Sequence, residues 1–480
     1  MKIKDLRLKF PDKEELLFKD LSLNIKKNEK VLLLGPSGCG KSTLLQVLSG
    51  VIPTSVDVPM KAAEIEHPPS WGYVFQDPDT QFCMPFVDEE IAFVLENIQV
   101  PQKEMGARIK AVLADVGLSF EDVHTNIATL SGGMKQRLAI ASVLALKPDT
   151  LFLDEPTALL DDEGTKAVWE TVKQISHDKT VVIVEHKLNH VLELVNRIVL
   201  FNEKGEILAD GAKEMILRQY RDTLRRQGVW YPEIWRDYLN QSPPGKISSS
   251  NEVVIELKDF KGYLQKKAKI SVPEATIRRG EWITVVGNNG AGKSTLLHSL
   301  MHLIKTNGEY FLFGDLVSAK KVPEGVTFVF QNPEFQFVTN SVWDEIAYGL
   351  RLKMAEEREV GEVVEDLLQR FKLREQRNQH PYQLSMGQKR RLSVAASIVN
   401  KKSIILLDEP TFGQDAQNTF ALLEMLQDYQ REGVTIIMVT HDQHIVDFFA
   451  TRVWTIEDGL LVSDNYNDLN QLQSPKRVML

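Results

Sequence analysis

The chain has 480 residues, 43% hydrophobic and 26% charged, an ordinary globular mixture too long for one core, so two domains of about 200 residues are expected. Its formal net charge of -9 argues against a protein held on nucleic acid by bulk positive charge. Two cysteines cannot build a disulfide framework, and no run of about 18 mainly apolar residues occurs; a reducing, cytosolic compartment and no membrane span are expected.

The first stretch, MKIKDLRLKF, alternates polar and apolar residues, which predicts a strand, and it lacks the apolar centre of a secretory signal. No export is expected. Next, VLLLG at 31–35 predicts a buried strand running into GPSGCGKST at 35–43, and STLLQVLSG predicts a helix after it. A G-x-x-x-x-G-K-[ST] loop between strand and helix is the setting in which backbone N–H groups and a helix N-terminus wrap phosphates. Gly35, Pro36, Ser37, Gly38, Cys39, Gly40, Lys41, Ser42 and Thr43 form this loop, with Lys41 expected to reach the β- and γ-phosphates of ATP and Ser42 to meet Mg2+. Cys39 inside it makes a thiol reagent an expected inhibitor.

Further along, Gln76 follows an apolar strand in VFQDPDTQF, and LSGGMKQR occupies 130–137. TLFLDEP and VVIVEH predict two more buried strands with polar ends. An acid at such an end lies beside a phosphate loop, where Asp154 can hold Mg2+ through water and Glu155 can take the proton of an attacking water. His186 closes the second strand and is expected to touch the γ-phosphate. A hairpin-like RIVLFNEKGEILADG, a helical MILRQYRDTLRRQ and the polar, proline-bearing linker QSPPGKISSS at 241–250 follow.

Then the series repeats in the same order, about 250 residues on, which marks a duplicated domain. Gly287, Asn288, Asn289, Gly290, Ala291, Gly292, Lys293, Ser294 and Thr295 form a second phosphate loop; Gln331, LSMGQKRR at 384–391, Asp408 with Glu409, and His441 repeat the rest. Strands alternating with helices predict an α/β fold with a mainly parallel sheet in each copy, 1–240 and 251–480.

With these landmarks in order, the chain resembles the ATP-binding-cassette (ABC) ATPases over nearly its whole length. The resemblance implies two tandem P-loop domains, each with a parallel sheet core, an antiparallel β subdomain and a helical signature subdomain. In that family two cassettes pair head to tail, each ATP lying between the glycine loop of one and the LSGGQ-type signature of the other. One site would then join Lys41, Ser42, Gln76, Asp154, Glu155 and His186 with Ser385 and Gly387; the other would join Lys293, Ser294, Gln331, Asp408, Glu409 and His441 with Ser131 and Gly133. Gln76 and Gln331 would complete the Mg2+ sites, Asp161 and Asp415 would line the loops after DEPT, and Phe10 would stack on adenine, Tyr263 or Leu264 being its counterpart. Ser131 and Ser385 also suit helix N-caps. Met134 stands where the signature has glutamine, which puts its ribose contact in question, and Met386 stands where side chains are tolerated.

QDPDTQFCMPFVDEEIAFVLEN and QNPEFQFVTNSVWDEIAYGL mix aromatics with acids, as a surface groove for a partner would, while Ile91, Phe93, Ile346 and Tyr348 suit the core. These segments resemble those of energy-coupling factor (ECF) vitamin-importer ATPases, and the fused pair resembles the type serving the thiamine precursor hydroxymethylpyrimidine. That implies an integral membrane scaffold subunit and a small substrate-binding membrane subunit as partners, no nucleic acid, and a place on the cytoplasmic face of a bacterial membrane. Two rivals are tandem-cassette translation factors, which carry a long charged linker and DEPTNHLD, and tandem sugar-importer ATPases, whose second glycine loop or signature tends to degenerate.

Overall fold

In the computed structural model, which describes residues 1–11, 15–158, 160, 162–245, 250–319, 321–353, 356–399 and 402–467, the apolar runs before the glycine loops form the strands Lys30–Leu34 and Trp282–Val286. Each lies in the middle of a sheet covered on both faces, which is why the run is apolar throughout rather than alternating. The chain divides into two compact units, Met1–Ile234 with Asp415–Gln417, and Trp235–Gln414 with Asn418–Leu480.

In the first unit a six-stranded sheet runs Ile207–Ala212, Arg197–Phe201, Lys30–Leu34, Thr180–Val184, Thr150–Asp154, Trp71–Val74. All its pairings are parallel except that of Ile207–Ala212 with Arg197–Phe201. Beside it, the alternating Lys2–Leu8 pairs antiparallel with Phe18–Asn24, and its inward residues Ile3, Leu6 and Leu8 are buried. A helical layer holds Val87–Asn97, Gln102–Asp115 and Gly132–Leu144.

The second unit repeats the strand order from Leu460–Tyr466 through Arg452–Glu457, Trp282–Val286, Thr435–Val439 and Ile404–Asp408 to Val326–Val329. Its antiparallel part is a long hairpin, Val253–Leu264 with Lys267–Arg278, turned at Gln265 and Lys266, which both take positive φ. A single bridge from Ser271 to Leu460 joins that hairpin to the parallel core, so ten strands form one sheet. The helix Ile234–Gln241 brings Trp235 and Tyr238 to this unit, and Tyr238 stacks on Phe420 at 4.0 Å between ring centroids. The fold is thus α/β in both units, as the alternation of strands and helices predicts. Among the described residues no helix is long and apolar enough to cross a membrane.

Both phosphate loops end in a left-handed glycine that opens a helix. Gly40 has φ 99° and a Cβ there would lie 2.9 Å from the Phe18 ring; Gly292 has φ 109° and its Cβ would lie 2.8 Å from the Lys269 carbonyl. Only glycine fits both demands, and an alanine at either place displaces the loop. The helix Lys41–Ser49 then anchors the loop by burying Leu44, Leu45, Val47 and Leu48, each worth about 1.5–3 kcal/mol. It stops where Gly50, also left-handed, returns its N–H to Val47 O.

Candidate functional site

The parallel sheets place four loops of each unit at the carboxyl ends of adjacent strands, where α/β proteins bind ligands. In the first unit Lys41 is buried and its Nζ donates to the carbonyls of Gly35 and Pro36, both at 2.8 Å. Lys293 does the same to Gly287 and Asn288 at 2.7 and 3.0 Å. The Ser42 hydroxyl donates to Asp154 Oδ1 at 2.7 Å, and that of Ser294 to Asp408 Oδ1 at 3.1 Å. Ser37, Gly38, Asn289, Gly290 and Ala291 fill the loop bends, and Thr43 and Thr295 lie in the first helical turns.

Burial pushes the Asp154 carboxyl up, against hydrogen bonds from Ser42 and Tyr73. Tyr73 donates its hydroxyl to Asp154 Oδ2 at 2.9 Å, so both oxygens of this acid are held. Asp408 is likewise pushed up by burial, but its relief comes from Ser294, His298 and Arg390, because Phe328 occupies the place of Tyr73. Arg390, pushed down to about 10 by burial, donates to Phe330 O at 2.9 Å; its first-unit counterpart is the neutral Gln136.

Glu155 and Glu409 follow these acids with φ 48° and 47°, a left-handed backbone that costs a non-glycine residue about 1–3 kcal/mol. Each conformation is pinned by its own N–H, to Val184 O at 2.8 Å and to Val439 O at 3.1 Å. It turns the carboxylate toward the strand-end histidine: His186 Nε2 lies 3.0 Å from Glu155 Oε1, and His441 Nε2 lies 3.3 Å from Glu409 Oε1. Gln76 Nε2 donates to the other Glu155 oxygen at 2.9 Å. Burial pushes the Glu155 carboxyl up, yet the hydrogen bond and charge of His186, with Lys41 beyond, outweigh it and leave a net downward shift. The site can therefore keep an ionised base beside a phosphate loop. Gln331 is exposed just beyond Val326–Val329, in the place equivalent to Gln76.

Ser131 and Ser385 are helix N-caps, accepting from Met134 N at 3.3 Å and Gln388 N at 3.4 Å. Gln388 returns the bond, its Oε1 accepting from Ser385 N at 2.9 Å, which completes a capping box that Met134 cannot make. Gly133 and Gly387 lie in the first turns of these helices; a Cβ on Gly133 would come within 3.4 Å of Gly164 Cα. Next to them, Lys135 pairs with Asp79 at 2.8 Å and Lys389 with Glu334 at 2.5 Å. The signature helix in each unit is thereby tied to the turn after Gln76 or Gln331, a link that the lysines gave no sign of in sequence.

Several expectations change on this geometry. Cys39 is 1% exposed and burial pushes its thiol up, so it is shielded; the exposed cysteine is Cys83. The acids Glu90 and Glu345 are internal struts rather than groove surface: Glu90 accepts from Cys83 N and Met84 N at 2.8 and 2.9 Å, and Glu345 from Val338 N and Thr339 N at 3.0 and 2.9 Å. Ile91 and Ile346 are buried, whereas Tyr348 is exposed rather than core. Phe10 packs, partly buried, on the first apolar cluster, and Tyr263 and Leu264 end a hairpin strand. Asp415 falls with the first unit, and Asp161 lies outside the described residues.

The ABC transporter family model matches residues 18–158 and 271–412. The chain is 35% identical, over 96% of its length and 90% of the relative's, to "Putative HMP/thiamine import ATP-binding protein YkoD" of Bacillus subtilis. It is 32% identical, over 97% and 85%, to a "Putative ABC transporter ATP-binding protein" of Methanosarcina acetivorans. Among solved structures, cbiO1 of Clostridium perfringens, described as part of the ABC transporter complex cbiONQ, is 26% identical with a TM-score of 0.42 and covers 48% of this chain and 93% of its own. Two glycine loops, two strand-end acid pairs and two signature helices, matched by the family model in two separate segments, make this chain a member of the ABC transporter ATPase family with two ATP-binding domains in tandem.

Proposed function

We propose that the chain is the ATP-hydrolysing subunit of an ECF-type importer, driving uptake of a vitamin or small metabolite through separate membrane subunits. The observation that carries this reading is the surface beside Gln331. Phe335 and Val338 are exposed at 76% and 66% on a turn fixed from inside by Glu345; Tyr348 and Leu352, at 46% and 68%, are exposed on and just after the helix Val342–Arg351, and Tyr382, at 51%, donates its hydroxyl to Glu334 O in that turn. Exposed apolar clusters of this kind mark contacts with other proteins. The YkoD relative's description as an HMP/thiamine import protein supports hydroxymethylpyrimidine as a candidate cargo. A scaffold subunit and a small substrate-binding subunit in the membrane would be the partners, and the chain would sit peripherally on the cytoplasmic face.

In the chemical step, Glu155 and Glu409 accept the proton of the attacking water, while His186 and His441 orient them and meet the γ-phosphate. Lys41 and Lys293 exchange their loop carbonyls for phosphate oxygens. Mg2+ suits the hard oxygens of Ser42 with Asp154 and of Ser294 with Asp408, where it would neutralise phosphate charge. Among the described residues no group of three acids, histidines or cysteines is placed to hold a metal ion, so Gln76 and Gln331, phosphates and water would supply the other ligands.

Co-expression with the membrane proteins encoded beside its gene tests the transport role. The chain co-purifies with them in detergent, and Phe335→Glu with Leu352→Glu abolishes this while ATP still binds. Co-sedimentation with ribosomes in their place would favour a translation factor.

A further inference from the structure

Behind the pair formed by Glu155 and His186 lies another carboxylate, Glu185, which is 1% exposed. Its Oε2 accepts from the Thr157 hydroxyl at 2.7 Å, and its Oε1 accepts from the backbone N–H groups of His186 and Lys187 at 2.8 and 3.2 Å. With the 3.0 Å contact between His186 and Glu155, these bonds close a ring. Glu155 leads through Pro156 to Thr157, Thr157 to Glu185, Glu185 along the chain to His186, and His186 back to Glu155. Links this short leave the two reacting side chains little room to separate.

No such ring exists among the described residues of the second unit. There Thr440 precedes His441, is 1% exposed, and its hydroxyl accepts from Asp442 N at 3.1 Å. No hydrogen bond joins it to Thr411, the counterpart of Thr157. A threonine therefore satisfies the fold at this position without the desolvation that a carboxylate suffers. Burial pushes the Glu185 carboxyl up, with the Thr157 bond acting against it, so the first unit keeps a costly group where a neutral one would serve.

We infer that Glu185 is a positioning residue for ATP hydrolysis in the first unit, fastening the loop that carries Glu155 to the turn that carries His186. It gives the first site a preorganised pair. This rests on the reading that Glu155 takes the proton of the attacking water.

The test uses the full chain carrying Glu409→Gln, in which turnover reports the first unit. Where steady turnover is too slow, single-turnover phosphate release from preloaded ATP gives the rate. Glu185→Thr lowers kcat about tenfold to a hundredfold, with KM for ATP changed less than about twofold. Thr157→Val, which keeps the shape of the side chain and removes only the hydroxyl, has the same effect. Glu185→Gln, which retains an acceptor for the two backbone N–H groups, recovers most of the rate. Parental kcat for both Glu185→Thr and Thr157→Val, or a raised KM with kcat unchanged, overturns the inference. Near-parental hydrolysis by the same Glu409→Gln chain when it also carries Glu155→Gln overturns instead the base assignment beneath it.

Discussion

His186 Nε2 stands 3.0 Å from Glu155 Oε1, and the corresponding pair in the second unit, His441 and Glu409, stands at 3.3 Å. The contact decides how Glu155 titrates. Burial drives its carboxyl up, and His186, more than Lys41, brings it down below the ordinary value. A base acts only when deprotonated, so a depressed carboxyl keeps Glu155 competent to lower pH. His186→Ala removes the depressing partner and leaves burial in command. In a Glu409→Gln background, the acidic limb of the profile of kcat against pH therefore moves to higher pH; an unmoved limb contradicts the coupling.

The signature helices differ in their first turn for a local reason. Ser385 and Gln388 exchange two hydrogen bonds, whereas Ser131 receives one and Met134 returns none. Met134→Gln should complete the missing box and stabilise the helix Gly132–Leu144 by about 0.5–1 kcal/mol. Thermal unfolding followed by circular dichroism would rise by about 2 °C. A fall would show that Met134 packs in a way glutamine cannot.

Buried charge is distributed unequally between the units. Arg452 reaches Glu281 at 3.2 Å with side chains 7% and 0% exposed, while Arg197 reaches Glu29 at 2.7 Å with 21% and 24%. Arg452→Met leaves the buried Glu281 carboxylate with only neutral donors, the Arg278 N–H and the Tyr466 hydroxyl, and should cost about 3–5 kcal/mol. Arg197→Met costs less, because solvent reaches Glu29. Denaturant unfolding of the two variants gives the order, and equal losses would refute it.

Thiol chemistry separates the two cysteines. Cys83 is exposed, whereas Cys39 is buried with its thiol pushed up by burial, which lowers the reactive thiolate fraction. A short iodoacetamide pulse on the native chain, read by mass spectrometry, modifies Cys83 first. Cys39 labelled as fast as Cys83 would mean that the phosphate loop opens readily.

Much of this site is legible in the sequence because it is made of local spacings: a glycine loop after an apolar strand, an acid pair closing another, a histidine closing a third. Those patterns dictate the parallel sheet, and the sheet brings their ends together. Tyr73 and Glu185 are invisible for the opposite reason. Each sits in a short apolar run, WGYVF or VVIVEH, that reads as core, and its partner lies 81 or 28 residues away on a neighbouring segment. Cys39 misleads because membership of a glycine loop suggests exposure, while the packed helix behind the loop and Gly35 close over its sulfur. Met134 reads as damage to a signature, and its structural consequence is the loss of one cap.

The account turns on Glu155 and Glu409 as the groups that take the proton from water. ATP binding and steady-state hydrolysis by the chain carrying Glu155→Gln and Glu409→Gln test it most directly. Bound ATP with turnover reduced by at least about a hundredfold is the expected result; turnover near the parental rate would contradict it.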